Sequence, residues 1–85
     1  MKTHELKILA EFFEPVRNGE KTFELRKDDR AFRVGDVLIL REWDPRTKEY
    51  TGRELRKHVT YLLGGIGLEP NYVCMAFGKA IAGNV

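Results

Sequence analysis

The stretch Val34-Gly35-Asp36-Val37-Leu38-Ile39-Leu40-Arg41-Glu42-Trp43 decides how this chain folds. From Val37 to Leu40 four apolar residues follow one another with no polar residue between them. A short apolar run bounded by turn residues reads as a strand buried on both faces, which is the position of a central barrel strand. Glycine before an acid suits the tight turn that launches it. Such a strand needs partners on both sides, and the flanking sequence supplies them.

On the N-terminal side, His4 to Leu9 alternates Leu6 and Ile8 with Glu5 and Lys7, the pattern of a half-buried strand. Ala10 to Asn18 carries Phe12, Phe13 and Val16 at helical spacing, with Glu11 and Glu14 near the start. Pro15 limits that helix to about two turns, and Asn18-Gly19 stops it. Lys21 to Lys27 alternates again: Phe23 and Leu25 share one face, and Thr22, Glu24 and Arg26 share the other. The second face is polar and specific in composition. Asp28-Asp29-Arg30 is a turn.

On the C-terminal side, Asp44 to Glu49 reads as a hairpin loop with proline near its start. Tyr50 to Leu63 is a long strand, with Val59, Tyr61 and Leu63 expected on one face and Arg56, His58 and Thr60 on the other. Gly64-Gly65-Ile66-Gly67 breaks it, and Glu69, Pro70 and Asn71 continue the loop. Tyr72 to Phe77 is a last strand with Val73, Met75 and Phe77 on one face, and Gly83-Asn84-Val85 is expected to fray. Five strands and one short N-terminal helix predict a mixed α+β, mainly β fold: a small, largely antiparallel barrel. It forms a single domain over residues 1–85 with its core at about 4–77.

Composition narrows the function. There is one cysteine, Cys74, so no disulfide framework forms within the chain. His4, His58 and Cys74 lack paired ligand spacing, so no metal is expected, and no cofactor motif is present. Met1 to Lys7 is too charged for the apolar core of a signal peptide, and no apolar run approaches the ~20 residues that cross a bilayer. The expectation is a cytoplasmic protein without a membrane partner. Net charge is +2, but Arg17 to Lys57 holds 12 basic and 9 acidic residues, which permits a phosphate-bearing partner.

Gly19-Glu20-Lys21-Thr22-Phe23-Glu24-Leu25-Arg26, followed by Val34-Gly35-Asp36-Val37-Leu38, resembles the ASCH domain of the PUA-like superfamily, with its G-x-K-T-x-E-x-R segment and V-G-D turn. Leu40 to Trp43 and Tyr50 to Glu54 look like a compact bacterial and phage subfamily of that group. The resemblance covers roughly residues 4 to 77 and implies a PUA-like barrel with a cleft beside the first helix, a place associated with RNA, modified bases or nucleotides. Some relatives resemble amidohydrolases of an acetylated cytidine nucleoside, and others are described as ribonucleases. In the amidohydrolase pattern a lysine stands where Lys21 is, and a threonine nucleophile follows three positions later. Here Glu24 holds that position, and the helical insertion that supplies a further glutamate has no counterpart.

The residues themselves fit a nucleotide. Arg26 offers a planar fork for phosphate or a guanine edge, and Glu24 can accept from a cytosine amine or ribose hydroxyls. Lys21 and Lys27 can neutralise phosphate as point charges, with Thr22 beside them. Trp43 and Tyr72 are candidates for base stacking, with Arg41 adjacent to the first. A surface ion pair between Glu24 and Arg26, and a core role for Trp43, are the plain alternatives. The leading expectation is an RNA- or modified-nucleotide-binding module at Lys21, Thr22, Glu24, Arg26, Lys27, Arg41, Trp43 and Tyr72. The alternatives are a small amidohydrolase or ribonuclease using Lys21 and Glu24, and a protein–protein regulatory module of phage origin.

Overall fold

The computed structural model describes residues 1–78. Its elements run β1 (Thr3–Leu9), α1 (Ala10–Arg17), β2 (Phe23–Lys27), β3 (Val37–Asp44), β4 (Glu49–Gly64) and β5 (Tyr72–Gly78). The five strands form one sheet in the order β1-β3-β4-β5-β2, curled into a half-barrel. The mainly β architecture with one short helix is therefore as expected. The expected fraying at Gly83-Asn84-Val85 lies outside the described residues.

β3 takes the central role that its apolar run predicts. It pairs in parallel with β1 through Thr3↔Val37 to Leu9↔Trp43, and antiparallel with β4 through Val37↔His58 to Asp44↔Glu49. Leu38 and Leu40 are fully buried and Val37 nearly so. The turn before it needs glycine: Gly35 has φ +97°, and its N–H donates to the Val59 carbonyl at 2.8 Å. Asp36 then fixes the corner. Its carboxylate accepts from the backbone N–H groups of Lys2 and Arg33, both at 3.0 Å, and pairs with His4 Nε2 at 2.8 Å. The His4 ring stands edge-on to Phe32 with centroids 4.7 Å apart.

Leu6 and Ile8 of β1, Phe13 and Val16 of α1, Phe32, Leu38, Leu40, Val59 and Met75 make the core. The helix is eight residues long and follows β1 directly. Pro15 sits within it, and the Asn18 N–H closes it on the Glu14 carbonyl at 2.9 Å. In so small a domain each buried side chain matters, since truncating Leu38 or Leu40 to alanine costs about 2–5 kcal/mol.

The faces of two strands take an arrangement that alternation alone does not set. In β2 the polar residues turn inward: Glu24 is 6% exposed, whereas Phe23 and Leu25 are 44% and 51% exposed. The alternation is as read from the sequence, and the polar set takes the inward side, because that side of this edge strand holds an ion-pair cluster instead of core. In β4 a bulge at Thr60 separates Val59↔Phe77 from Tyr61↔Ala76. One extra residue flips every later side chain. Val59 is buried, but Tyr61 (63% exposed) and Leu63 face out, and Leu62 packs on the core in their place.

Candidate functional site

The half-barrel does not close by strand pairing. β1 and β2 end the sheet on opposite sides, and their unpaired edges face one another. Side chains cross the seam instead. Arg26 Nη2 donates to the carbonyl of Lys7, and Arg30 Nη1 donates to that of Glu5 at 2.9 Å. Along this seam lies an open cleft of about 370 Å³. Lys7, Ile8, Leu9 and Phe12 form one wall, and Glu24, Leu25, Arg26, Lys27 and Tyr72 form the other.

The inward face of β2 supplies the polar group of this cleft. Glu24 Oε2 accepts from Arg26 Nε at 2.8 Å, and Lys21 Nζ stands 3.6 Å from Glu24 Oε1. Lys21 Nζ also donates to the Phe23 carbonyl at 2.8 Å and lies 5.3 and 4.7 Å from the ring centroids of Phe12 and Phe23. A buried carboxylate thus sits between two cations, and the strand pattern of β2 dictates that arrangement: positions 24 and 26 share a face. The cluster can accept from an amine or hydroxyl through Glu24 while offering cations to a phosphate.

Of the residues singled out by sequence, Glu24, Arg26, Lys27 and Tyr72 line this cleft, and Lys21 reaches Glu24 from beside it. Thr22 does neither. It lines a separate depression of about 420 Å³ with Arg17, Gly19, Lys21 and Lys57 at the end of α1. Arg41 and Trp43 lie across β1 on the outer face of the sheet. Trp43 packs edge-on to Tyr50 with centroids 5.0 Å apart, and Arg41 lies 4.2 Å over the Tyr50 ring and 3.8 Å from Glu5. Lys7 connects the two regions, lining the cleft while its Nζ lies 4.0 Å over Trp43. Lys7, Phe12 and Arg30 were not readable as site residues, because their role depends on which strand edges face each other across the seam.

A second charged cluster braces the helix. Glu42, 5% exposed, accepts from Arg53 Nε at 2.9 Å, Arg53 Nη2 at 3.1 Å and the Thr51 hydroxyl at 2.6 Å. Arg53 also reaches Glu14 at 3.0 Å and covers the Phe13 ring at 4.4 Å. The Arg53 guanidinium, then Thr51, holds the Glu42 carboxyl below its ordinary range, and Arg53 is pushed further up. Arg17 and Arg53 lower Glu14 likewise. For Asp36, burial alone would raise the pKa, but hydrogen bonds from His4 and from the N–H groups of Lys2 and Arg33 outweigh it and hold it below the usual value.

Among the described residues no three His, Cys, Asp or Glu side chains are grouped to hold a metal, and no helix is long and apolar enough to cross a membrane.

Fold and cleft together define a small α+β half-barrel domain with a mixed-charge groove where its sheet edges meet. The chain belongs to the family described as Domain of unknown function (DUF3850), whose model matches residues 3–77. It is also similar to an uncharacterized 12.9 kDa protein in the GpA 3′ region of Escherichia phage P2, with 42% identity over 59 residues, which are 69% of this chain and 52% of the phage protein. The chain thus spans about half the length of that relative.

Proposed function

We propose that this protein is an ASCH-type, PUA-like binding module for RNA or a modified nucleotide, and that the seam between β1 and β2 is its binding site. One observation carries the reading: a buried acceptor, Glu24, flanked by Arg26 and Lys21, lies in a cleft whose rim adds Lys7, Lys27 and the Tyr72 ring. The position of the cleft, at the start of α1 and along β2, agrees with what the ASCH resemblance implies. Cations around an apolar-walled groove suit a phosphate with a base stacked beside it. The resident Arg26–Glu24 pair presents both a donor fork and an acceptor, so a base edge can exchange hydrogen bonds with the pair without leaving either partner unpaired.

The test is a titration of wild type and Lys27→Ala/Tyr72→Ala with short single-stranded RNA and with acetylated cytidine, at two salt concentrations. These two residues are chosen because Arg26 also bridges the seam. RNA binding that weakens with salt and is lost in the variant supports the reading. Equal binding by the folded variant, or no binding by wild type, overturns it.

A further inference from the structure

We infer that the depression at the end of α1 is a phosphate-binding subsite centred on Lys57. The strand register places that lysine. Lys57 lies opposite Leu38, which is fully buried, and its neighbours on the same side of β4 are Leu55 and Val59, both part of the core packing. Lys57 therefore projects from the inward face of a central strand. It is half-buried there, and among the described residues its ammonium has neither an ion pair nor a hydrogen bond. A lysine can occupy such a position by running its stem along apolar surface to reach water. The company it keeps sets this one apart.

The depression that Lys57 lines, about 420 Å³, is also lined by Arg17, Asn18, Lys21 and Thr22, and by no carboxylate. Arg17 gives its Nε to Glu14 at 3.0 Å, and its terminal N–H groups have no described acceptor. Asn18 Oδ1 accepts the Glu20 N–H at 3.1 Å, which leaves its NH2 as a donor. Elsewhere the buried charges are balanced: Glu24 lies between Lys21 and Arg26, Glu42 meets Arg53, and Asp36 meets His4. Three cations around one concavity with no anion among them repel one another, and a bound anion relieves that repulsion. The carbonyl end of a helix by itself disfavours an anion. Here those carbonyls are occupied. Glu14, Pro15 and Val16 accept the N–H groups of Asn18, Lys21 and Gly19 at 2.9, 2.9 and 3.3 Å. Lys21 and Lys57 then set the sign of the site.

Shape and position identify the anion as phosphate. Its oxygens can accept from the Arg17 fork and from two ammonium groups at once. The depression falls within the roughly 300–1,000 Å³ range of ligand sites. Lys21 is the wall it shares with the seam: the same ammonium lies 3.6 Å from Glu24 and 5.3 Å from the ring centroid of Phe12, which lines the seam cleft. The eight residues of α1 separate the two places by about 12 Å. The next step rests on the seam reading. With a base in the seam, the depression takes the phosphate of a nearby nucleotide on the same strand, and the ligand is a single-stranded oligonucleotide in preference to a free nucleoside.

The experiment titrates inorganic pyrophosphate and a tetranucleotide RNA into wild type, Lys57→Gln, Arg17→Gln and Tyr72→Ala, read by amide NMR shifts, with a thermal melt of each protein. In wild type, pyrophosphate should shift Gly19, Thr22 and Lys57. Lys57→Gln and Arg17→Gln should lose that response, and Tyr72→Ala should keep it. Lys57→Gln should also weaken RNA binding and lower the slope of log affinity against log salt by about 0.7. It should melt no lower than wild type, because no described partner is left unpaired. Wild type that does not bind pyrophosphate overturns the subsite. So does a Lys57→Gln protein that binds both ligands as wild type does, or one that melts clearly lower. Pyrophosphate bound through Lys57 with no RNA binding leaves the subsite standing and overturns the seam reading. RNA binding that is lost in Tyr72→Ala but untouched in Lys57→Gln does the reverse.

Discussion

Glu24 and Arg26 meet at 2.8 Å on the inward face of β2, where Glu24 lies opposite the fully buried Met75 and Arg26 opposite Val73. The pair does two jobs at once. It keeps a desolvated carboxylate compensated, and it leaves the second arm of Arg26 free to bridge to the Lys7 carbonyl on β1. Because β1 and β2 share no ladder, this arginine takes over part of the work that strand pairing does elsewhere in the sheet.

Removing either partner should therefore destabilise the fold as well as the site. Glu24→Ala leaves two cations facing each other, and Arg26→Ala leaves a nearly buried carboxylate and opens the seam. Each should cost about 1–3 kcal/mol, and the double variant should cost less than the sum of the two. Urea denaturation of the four proteins measures the coupling. Additive losses would mean that the contact is a solvated surface pair worth little.

Lys27 and Tyr72 provide the contrast. They line the cleft but bridge it with no side-chain hydrogen bond among the described residues, so their truncation should change stability by no more than about 0.5 kcal/mol. If RNA occupies the seam, Tyr72→Ala should weaken binding by the ~1–3 kcal/mol of a stacked base, and Lys27→Ala should flatten the salt dependence. Filter binding at several salt concentrations reads both. A Tyr72→Ala protein that binds as wild type would remove stacking from the mechanism.

The strands were legible because hydrophobic alternation and turn residues are local signals. β1 buries Leu6 and Ile8, β3 buries Val37, Leu38 and Leu40, and β5 buries Met75 with Val73 and Phe77 half-buried beside it. Which side turns inward at β2 was not given by the pattern, and at β4 the expected grouping of Val59, Tyr61 and Leu63 on one face failed. At β2, alternation alone cannot tell whether the apolar or the polar set turns inward, and the stronger apolar residues, Phe23 and Leu25, lost to a compensated ion-pair cluster. At β4, the bulge at Thr60 leaves no mark in the alternation of Val59, Tyr61 and Leu63. Lys21, Glu24 and Arg26 were found because they lie on one strand. Lys7 was missed because it reaches the site only through the sheet order, which brings the ends of a five-strand order face to face.

The Asp36 carboxylate ties the N-terminus, the turn before β3 and the His4 ring into one corner. Its folded pKa lies below the ordinary value, so it binds protons more weakly than in the unfolded chain. The stability it contributes is present above the unfolded pKa of about 4 and is lost as pH falls through the folded value. Glu42, lowered by Arg53, acts with the same sign. Chemical denaturation from neutral to acid pH should show stability declining below about pH 4. In Asp36→Asn the protein should be less stable at neutral pH, and its acid limb should be shallower. An unchanged acid limb would show that Asp36 does not drive the acid loss.

Among the described residues, Arg53 is the most connected cation outside the cleft. It joins Glu42 on β3 to Glu14 on α1 and covers Phe13, which lies in the core. α1 is short, contains Pro15 and has no side-chain N-cap, so its stability comes from docking more than from propensity. Arg53→Ala should therefore loosen the helix selectively. It strands the Glu42 carboxylate with only Thr51 as a donor and should lower the stability of the protein. Arg53→Lys keeps a charge but not the fork that serves both Glu42 oxygens, so it should recover only part of the loss. Hydrogen exchange localises the effect: amides of α1 should lose more protection than those of β3 and β4. If protection falls uniformly, the arginine supports the whole sheet and not the docking of the helix.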